Sequence, residues 1–349
     1  MLRNYIFILL CCSFVTSVFS QTKKFHYVEN KMGSPFNLIL VTDDSIKAAN
    51  LAKASFSLID SFSHIYSDYD SSSELSKLGL NTEKGFQSCS PALWDILILS
   101  KLAYDNSLHS FDISIGPLSS LWRKKRKTHV FPDSLTIDET LNLVGLNKIQ
   151  WNIPKHQISI PQKGMRLDLG GIAKGYIAQK VIDYLRDNGI NAALADASGD
   201  IAMSEAPPGN DGWLVGVNIP ETTDDLLKKK LSLTNYAVAT SGDAYQYIEH
   251  NGKKYSHIID PRTGYGVSFQ RNVTVIAKDG TDADWLATAC SILSIRESKK
   301  ICRRQQAELF ISILKNGKII TYQTSGFKKY WKKYFSNKRN CGKTILFIT

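Results

Sequence analysis

Residues 166–176, RLDLGGIAKGY, constrain the fold more than any other stretch. Met165, Leu167 and Leu169 alternate with Arg166 and Asp168, the period of a half-buried strand. Gly170 and Gly171 end the alternation, and Ile172, Tyr176, Ile177, Val181, Ile182 and Leu185 then recur on one face of a helix. A strand that passes through two glycines straight into a helix lets backbone approach a neighbour closely and leaves amide N–H groups free. Such a helix start favours negative charge, a phosphate above all. Lys174 adds a positive charge one turn in, and Asp168 sits just before the glycines. Two readings stay open here, a packing corner and a phosphate site. The spacing is not GxGxxG, and Lys174 lacks the Ser or Thr that follows it in a P-loop.

Residues 1–20 read as a signal peptide. Arg3 gives a positive start, residues 6–19 are mainly apolar but too short to span a bilayer comfortably, and cleavage is expected after Ser20. An uncleaved anchor is the alternative. Removing the leader takes one Arg and no acid, lowering the formal charge from +11 to +10. That excess suits an anionic partner, and export argues against nucleic acid. It is concentrated at RKKRK, residues 123–127, and in the tail at 328–343, both read as solvated loops. Cys89, Cys290, Cys302 and Cys341 remain, with no zinc spacing among them, and sequence assigns no disulfide.

The rest of the chain alternates strands and helices. Strand character over 25–42 is interrupted at Met32-Gly33-Ser34-Pro35. Helical spacing follows at 45–63, a Ser/Asp-rich loop at 67–75, a Ser90-Pro91 helix start running to about 108, and a helix at 137–143. Asn188-Gly189 ends the helix after the glycine corner. Strands are expected at 192–194, 213–217, 231–240, 254–259 and 273–277, then a helix at 282–293. Asn316-Gly317 is a hairpin signal between 308–314 and 318–322. This pattern predicts a mixed α/β (α+β) fold with largely antiparallel sheets and packed helices, in one large domain or two intimately packed lobes over 21–327.

Four strand ends share one design: Gly170-Gly171, Ser198-Gly199-Asp200, Ser241-Gly242-Asp243 and Asp260-Pro261-Arg262-Thr263-Gly264. Converged, they would make a cleft of backbone donors, hydroxyls and carboxylates, suited to a phosphorylated ligand with a hard cation. Asp284 and Thr288, four apart on a predicted helix, share a face and could reach one ion, or Asp284 could merely complement the helix start. His257 is a candidate base or phosphate contact, or a histidine held by its neighbours. No Gly-x-Ser-x-Gly elbow supports a serine triad.

Ordered blocks carry a resemblance from about residue 32 to 327: MGSPF at Met32, YDSSSELSKL at Tyr69, FDISIGPLSSLW at Phe111, LDLGGIAKGY at Leu167, ASGDI at Ala197, VATSGD at Val238, YSHIIDPRTG at Tyr255 and ADWLATA at Ala283. The chain resembles the ApbE family, the FAD:protein FMN transferases, and so is expected to have a T-fold-related architecture. The resemblance implies a Mg²⁺-dependent reaction in which FAD is split, FMN passes to a Thr or Ser hydroxyl of a partner protein, and AMP leaves. It places FAD contacts on Met32, Tyr69, Ser110, Phe111, Asp112, Asp168, Lys174 and Ile259, and metal contacts on the Gly171 carbonyl, Asp284 and Thr288. Asp243 and His257 are the candidates for taking the acceptor's proton.

The resemblance further implies an exported, periplasmic enzyme acting on an acceptor subunit of a membrane redox complex. The basic tail, 328–349, offers a peripheral contact with the outer face of the inner membrane. Family acceptors carry Asp-x-x-Thr/Ser-Gly-Ala/Ser-Thr/Ser; this chain's own Asp260-Pro261-Arg262-Thr263-Gly264 departs at Tyr265-Gly266, so the acceptor is expected to be another protein. An FAD pyrophosphatase and a non-catalytic flavin carrier are the alternatives.

Overall fold

Met32 and Gly33 both take left-handed backbone angles, φ 52° and 76°, in the two-residue turn joining β1 (Lys23–Lys31) to β2 (Ser34–Thr42). The computed structural model describes residues 22–82, 84–217, 230–242, 246–268, 271–315 and 318–332; residues 1–21, with the expected signal peptide, and Asp243, Asn316-Gly317, Cys341 and most of the basic tail lie outside them. Next come α1 (Ser45–Tyr66), capped by Asp44, α2 (Glu74–Leu80), β3 (Gln87–Ser88) and α3 (Pro91–Asn106). After these follow α4 (Gly116–Thr128), α5 (Ser134–Leu141), β4 (Gln150–Asn152) and β5 (Gln157–Ser159). The glycine corner opens α6 (Ala173–Asp187), followed by β6 (Ala192–Ala197), β7 (Asp200–Met203), β8 (Trp213–Gly216) and β9 (Lys230–Leu233). Then come β10 (Tyr236–Gly242), β11 (Tyr247–His250), β12 (Lys253–Ser256) and β13 (Arg271–Ala277). The last elements are α7 (Gly280–Ile292), α8 (Ile295–Arg304), β14 (Glu308–Lys315) and β15 (Lys318–Gln323).

The main sheet runs β1-β2-β6-β7-β10-β13-β14-β15, every neighbouring pair antiparallel. Its strands send alternate residues into two separate cores. Phe36, Leu38, Leu40, Ala193, Ala195, Ala237, Ala239, Val273 and Val275 meet the helices. Ile39, Val41, Leu194, Ile201, Val238 and Ile276 meet the β8–β9 hairpin and the turn carrying Phe327 and Tyr330. Alanines on the helix face leave room for α6 and α7 to lie close to the sheet. A smaller core joins α4, α5 and the β11–β12 hairpin through Leu118, Trp122, Ile137, Ile248 and Ile259.

Four expectations are corrected. The stretch 165–169 alternates in burial as a strand would but forms none; only Arg166 is bridged, to Ile115. RKKRK is not a loop: it forms the last turns of α4, anchored where Trp122 Nε1 donates to the Gly264 carbonyl at 2.8 Å, and its charge suits a helix C-terminus. The strand expected at 231–240 is two strands, broken at Asn235, which is left-handed (φ 54°). The helix expected at 137–143 starts at Ser134, because the Asp133 carboxylate accepts the Thr136 N–H at 2.8 Å.

Candidate active site

Sheet register puts several of the Gly-rich ends at one edge of the molecule. Phe36 pairs with Ala197, Ala197 with Asp200, and Val238 with Ile201, so the Met32 turn, the Ser198-Gly199 hairpin tip and the end of β10 at Gly242 lie together. Ser198 Oγ donates to the Pro35 carbonyl at 2.8 Å, tying two of them. The fourth end, Asp260 to Gly264, is held instead against α4 through Trp122.

The glycine corner sits at this edge. No side chain caps α6 from its own first turn. Asp284 on α7 does so from a distance: its carboxylate accepts the Gly175 N–H at 2.9 Å. The approach depends on Gly175, where a Cβ would overlap the Gly280 carbonyl and lie 2.6 Å from Asp284 Cβ. Asp284 therefore complements a helix start, but that of α6 rather than of its own helix. One turn on, Thr288 Oγ1 lies 3.5 Å from the Gly171 carbonyl oxygen.

Lys174 reaches back to the sheet, its Nζ 2.6 Å from Asp200 Oδ2. The Asp200 charge raises the Lys174 pKa, against the burial that opposes it. Burial, and then the Asp200 carboxylate, push Asp284 well above the usual carboxylate range, against the pull of Lys174. Asp196, which accepts the Gly199 N–H at 2.7 Å, is pushed up to about 6, chiefly by burial. Three enclosed carboxylates thus share one ammonium, an acidic excess that a divalent cation would relieve. Among the described residues no three His, Cys, Asp or Glu side chains converge as a metal cage. The candidate donors are all oxygen: the Gly171 carbonyl and Thr288 hydroxyl, 3.5 Å apart, and the Asp284 carboxylate one turn earlier on the same face of α7. That set fits Mg²⁺, which keeps open positions for water and phosphate oxygens.

A second cluster faces the site from α4. Arg123 places one guanidinium nitrogen 2.8 Å from Asp68 Oδ2 and 3.8 Å from Asp168 Oδ2, and its guanidinium carbon 3.8 Å from the centre of the Tyr69 ring. Asp168 also accepts the Gly170 N–H at 2.8 Å, linking this cluster to the glycine corner. Arg126, one turn on, is half-buried; burial and the Arg123 charge lower its pKa. The His257 backbone N–H donates to the Gln246 carbonyl at 2.8 Å, while its ring Nδ1 is buried with no partner among the described residues. Burial first, then the Arg126 charge, lower the His257 pKa to about 4, so the ring is neutral at pH 7.

The remaining predicted residues divide. Phe111 is buried against the corner, 3.3 Å from where a Gly171 Cβ would stand. Ser110 and Asp112 turn their side chains inward, Ser110 onto the Ser107 carbonyl and Asp112 onto Ser114 and the Leu146 N–H, while the Ser110 and Phe111 N–H groups donate to Ser107. Ile259 is buried in the α4–α5 core, bridged to Gly266. Sequence reasoning missed Asp68, Arg123 and Arg126 as parts of the site. Leu118 and Trp122 share a helical face, but nothing local in RKKRK or in the loop at Asp68 signalled their pairing.

The family model described as "ApbE family" matches residues 32–311. The chain belongs to the ApbE family. A member from Klebsiella pneumoniae (strain 342), named FAD:protein FMN transferase, is 30% identical over 303 residues, covering 86% of this chain and 92% of that protein. One of the same name from Vibrio cholerae is 24% identical over 340 residues, covering 95% and 100%. The ApbE protein crystal structure from Thermotoga maritima shares the fold at TM-score 0.80 and 24% identity, covering 89% of this chain and 100% of that one. In this ApbE chain, then, the glycine corner and the α4 cluster occupy one family fold.

Proposed function

We propose that this protein transfers FMN from FAD to a Thr or Ser hydroxyl of a partner protein and releases AMP. The observation that carries the reading is the oxygen donor set of the corner: the Gly171 carbonyl, the Thr288 hydroxyl 3.5 Å from it, and Asp284 one turn earlier on α7. These residues would hold Mg²⁺, which when bound withdraws charge from the pyrophosphate. The chain's own groups do the rest. Lys174, whose ammonium already faces the enclosed carboxylates, meets phosphate oxygens, and the segment Ser110-Phe111-Asp112 joins Asp168, Tyr69, Met32 and Ile259 in holding the nucleotide. The acceptor oxygen forms a bond to the flavin-side phosphorus as the bond to the AMP oxygen breaks. A neutral His257 takes the proton that the hydroxyl gives up. Asp243, outside the described residues, is kept as a second candidate for that step.

Mixing the protein, FAD, Mg²⁺ and an acceptor peptide, then weighing the products, tests this. The expected result is a peptide heavier by one FMN phosphoryl group, with AMP in equal amount. Free FMN and AMP without a heavier peptide would assign hydrolysis, and neither product would leave a flavin carrier. We further place the reaction outside the cytoplasm, on acceptors of membrane redox complexes. The leader-like composition of residues 1–20 supports the first and the resemblance to the family the second. Fractionation of cells for the protein checks the compartment.

A further inference from the structure

Arg123 belongs to a basic block with no role in the reaction proposed above, yet it is the most constrained charged residue of α4. Its side chain is 23% exposed and touches groups from two distant segments, Asp68 and Tyr69 before it and Asp168 after it. Both carboxylates meet the same guanidinium nitrogen, Asp68 by a hydrogen bond and Asp168 at 3.8 Å, and so tether the plane of the head at that edge. That plane then lies against Tyr69, which is otherwise 76% exposed. An exposed tyrosine in a Ser/Asp-rich loop would ordinarily sample many rotamers. Here one side of the ring rests on a held cation, and the rest of it stands in solvent beside Asp168. A guanidinium on one face of an aromatic ring also leaves the opposite face free for a planar partner.

We infer that Arg123 is a positioning residue that fixes Tyr69 as a stacking platform for an aromatic ring of FAD, with Asp68 and Asp168 holding the guanidinium in place. This rests on the flavin reading of the same site. The stacked ring is either the isoalloxazine or the adenine, and riboflavin and ADP serve as separate probes for the two. Arg123 acts through Tyr69, so its contribution should vanish when the tyrosine is gone.

The test is a double-mutant cycle on ligand binding, read by flavin fluorescence and by calorimetry with ADP. Arg123→Met is expected to weaken FAD, and one of riboflavin or ADP, about three- to fivefold, the size of an exposed cation–π contact. It should also relieve part of the fluorescence quenching that a stacked tyrosine imposes. In a Tyr69→Leu background the same substitution should cost less than about twofold. Arg123→Lys keeps the charge but not the fork, and should bind like Arg123→Met. Full affinity in Arg123→Lys would overturn the inference, since charge alone would then suffice. So would an equal loss with and without Tyr69. A wild-type protein that binds no FAD would instead overturn the flavin reading itself.

Discussion

At the α6–α7 corner, geometry is set by backbone: Gly175 and Gly280 bring two helices into contact, a peptide N–H holds Asp284, and the Gly171 carbonyl faces Thr288. On the α4 side it is set by long side chains: Arg123 on Tyr69 between two carboxylates, and Arg126 acting on His257. The first arrangement has no rotamers to lose and no room to move. The second rests on screened charges and ring contacts, each worth about 1 kcal/mol or less where water reaches it. On the proposed reading, one wall would fix phosphate and metal chemistry and the other could be retuned by substitution. Loss of the corner's carboxylate or of its helix contact should therefore cost more than any change on α4.

The largest effect is expected at Asp284. Asp284→Asn keeps an oxygen to accept the Gly175 N–H but removes the only carboxylate of the donor set. FMN transfer should fall about 10²–10³-fold, the scale of losing several kcal/mol of charge stabilisation in the transition state. The same variant should melt higher than wild type in EDTA, because it removes an enclosed charge that Asp200 repels. Added Mg²⁺ should raise the melting temperature of wild type and not of the variant. A variant that keeps full transfer, or that melts lower without metal, would count against the corner as the metal site.

Next come the glycines, where the contrast is internal to the corner. A Cβ at Gly175 would overlap backbone, so Gly175→Ala should destabilise the protein by about 1–3 kcal/mol, read from urea unfolding. A Cβ at Gly171 would lie 3.0 Å from Thr288 Oγ1 and 3.3 Å from Phe111 Cε2, contacts that a small rotation relieves. Gly171→Ala should therefore cost less than about 1 kcal/mol and keep the carbonyl in place. Equal costs at the two positions would break the distinction between a helix–helix contact and a carbonyl that only needs to be presented.

The corner was readable because its signals are local. Two glycines before a periodic helix, and Asp284 and Thr288 four apart, state their geometry within a few residues, although the alternating stretch ahead of the glycines is no strand. The four strand ends were readable as a kind, although only register shows that the Met32 turn, the Ser198 hairpin and Gly242 lie together. The partners were not readable. Gly175 and Asp284 are 109 positions apart, and Arg123 and Asp68 are 55. A charged run looks the same whether it is solvated or paired, so RKKRK could be placed only by the fold. α8 was missed for a related reason: IRESKKICRR buries only Ser298, Ile301 and Cys302, too few to show a period. Its Ser294-to-Glu297 capping box was in plain view and should have marked it.

The smallest predicted effect is on the α4 side and concerns protons. The His257 pKa is depressed to about 4, below its ordinary value near 6.5, first by burial and then by Arg126. Between those two values the unfolded chain carries a proton on His257 and the folded chain does not. Stability contributed by this group is therefore complete above about pH 6.5 and is lost as pH falls towards 4. Arg126→Gln removes the second cause and leaves the first, so the pKa should rise but stop short of the ordinary value. Activity at pH 7 should be unchanged by this route, and the acid limb of kcat/KM should move up, with about a twofold loss at most at pH 5. NMR titration of the His257 ring gives the same shift without turnover. An unmoved ring pKa would mean that burial alone holds the base neutral. The two arginines of α4 would then divide cleanly, Arg123 acting on Tyr69 and Arg126 on neither.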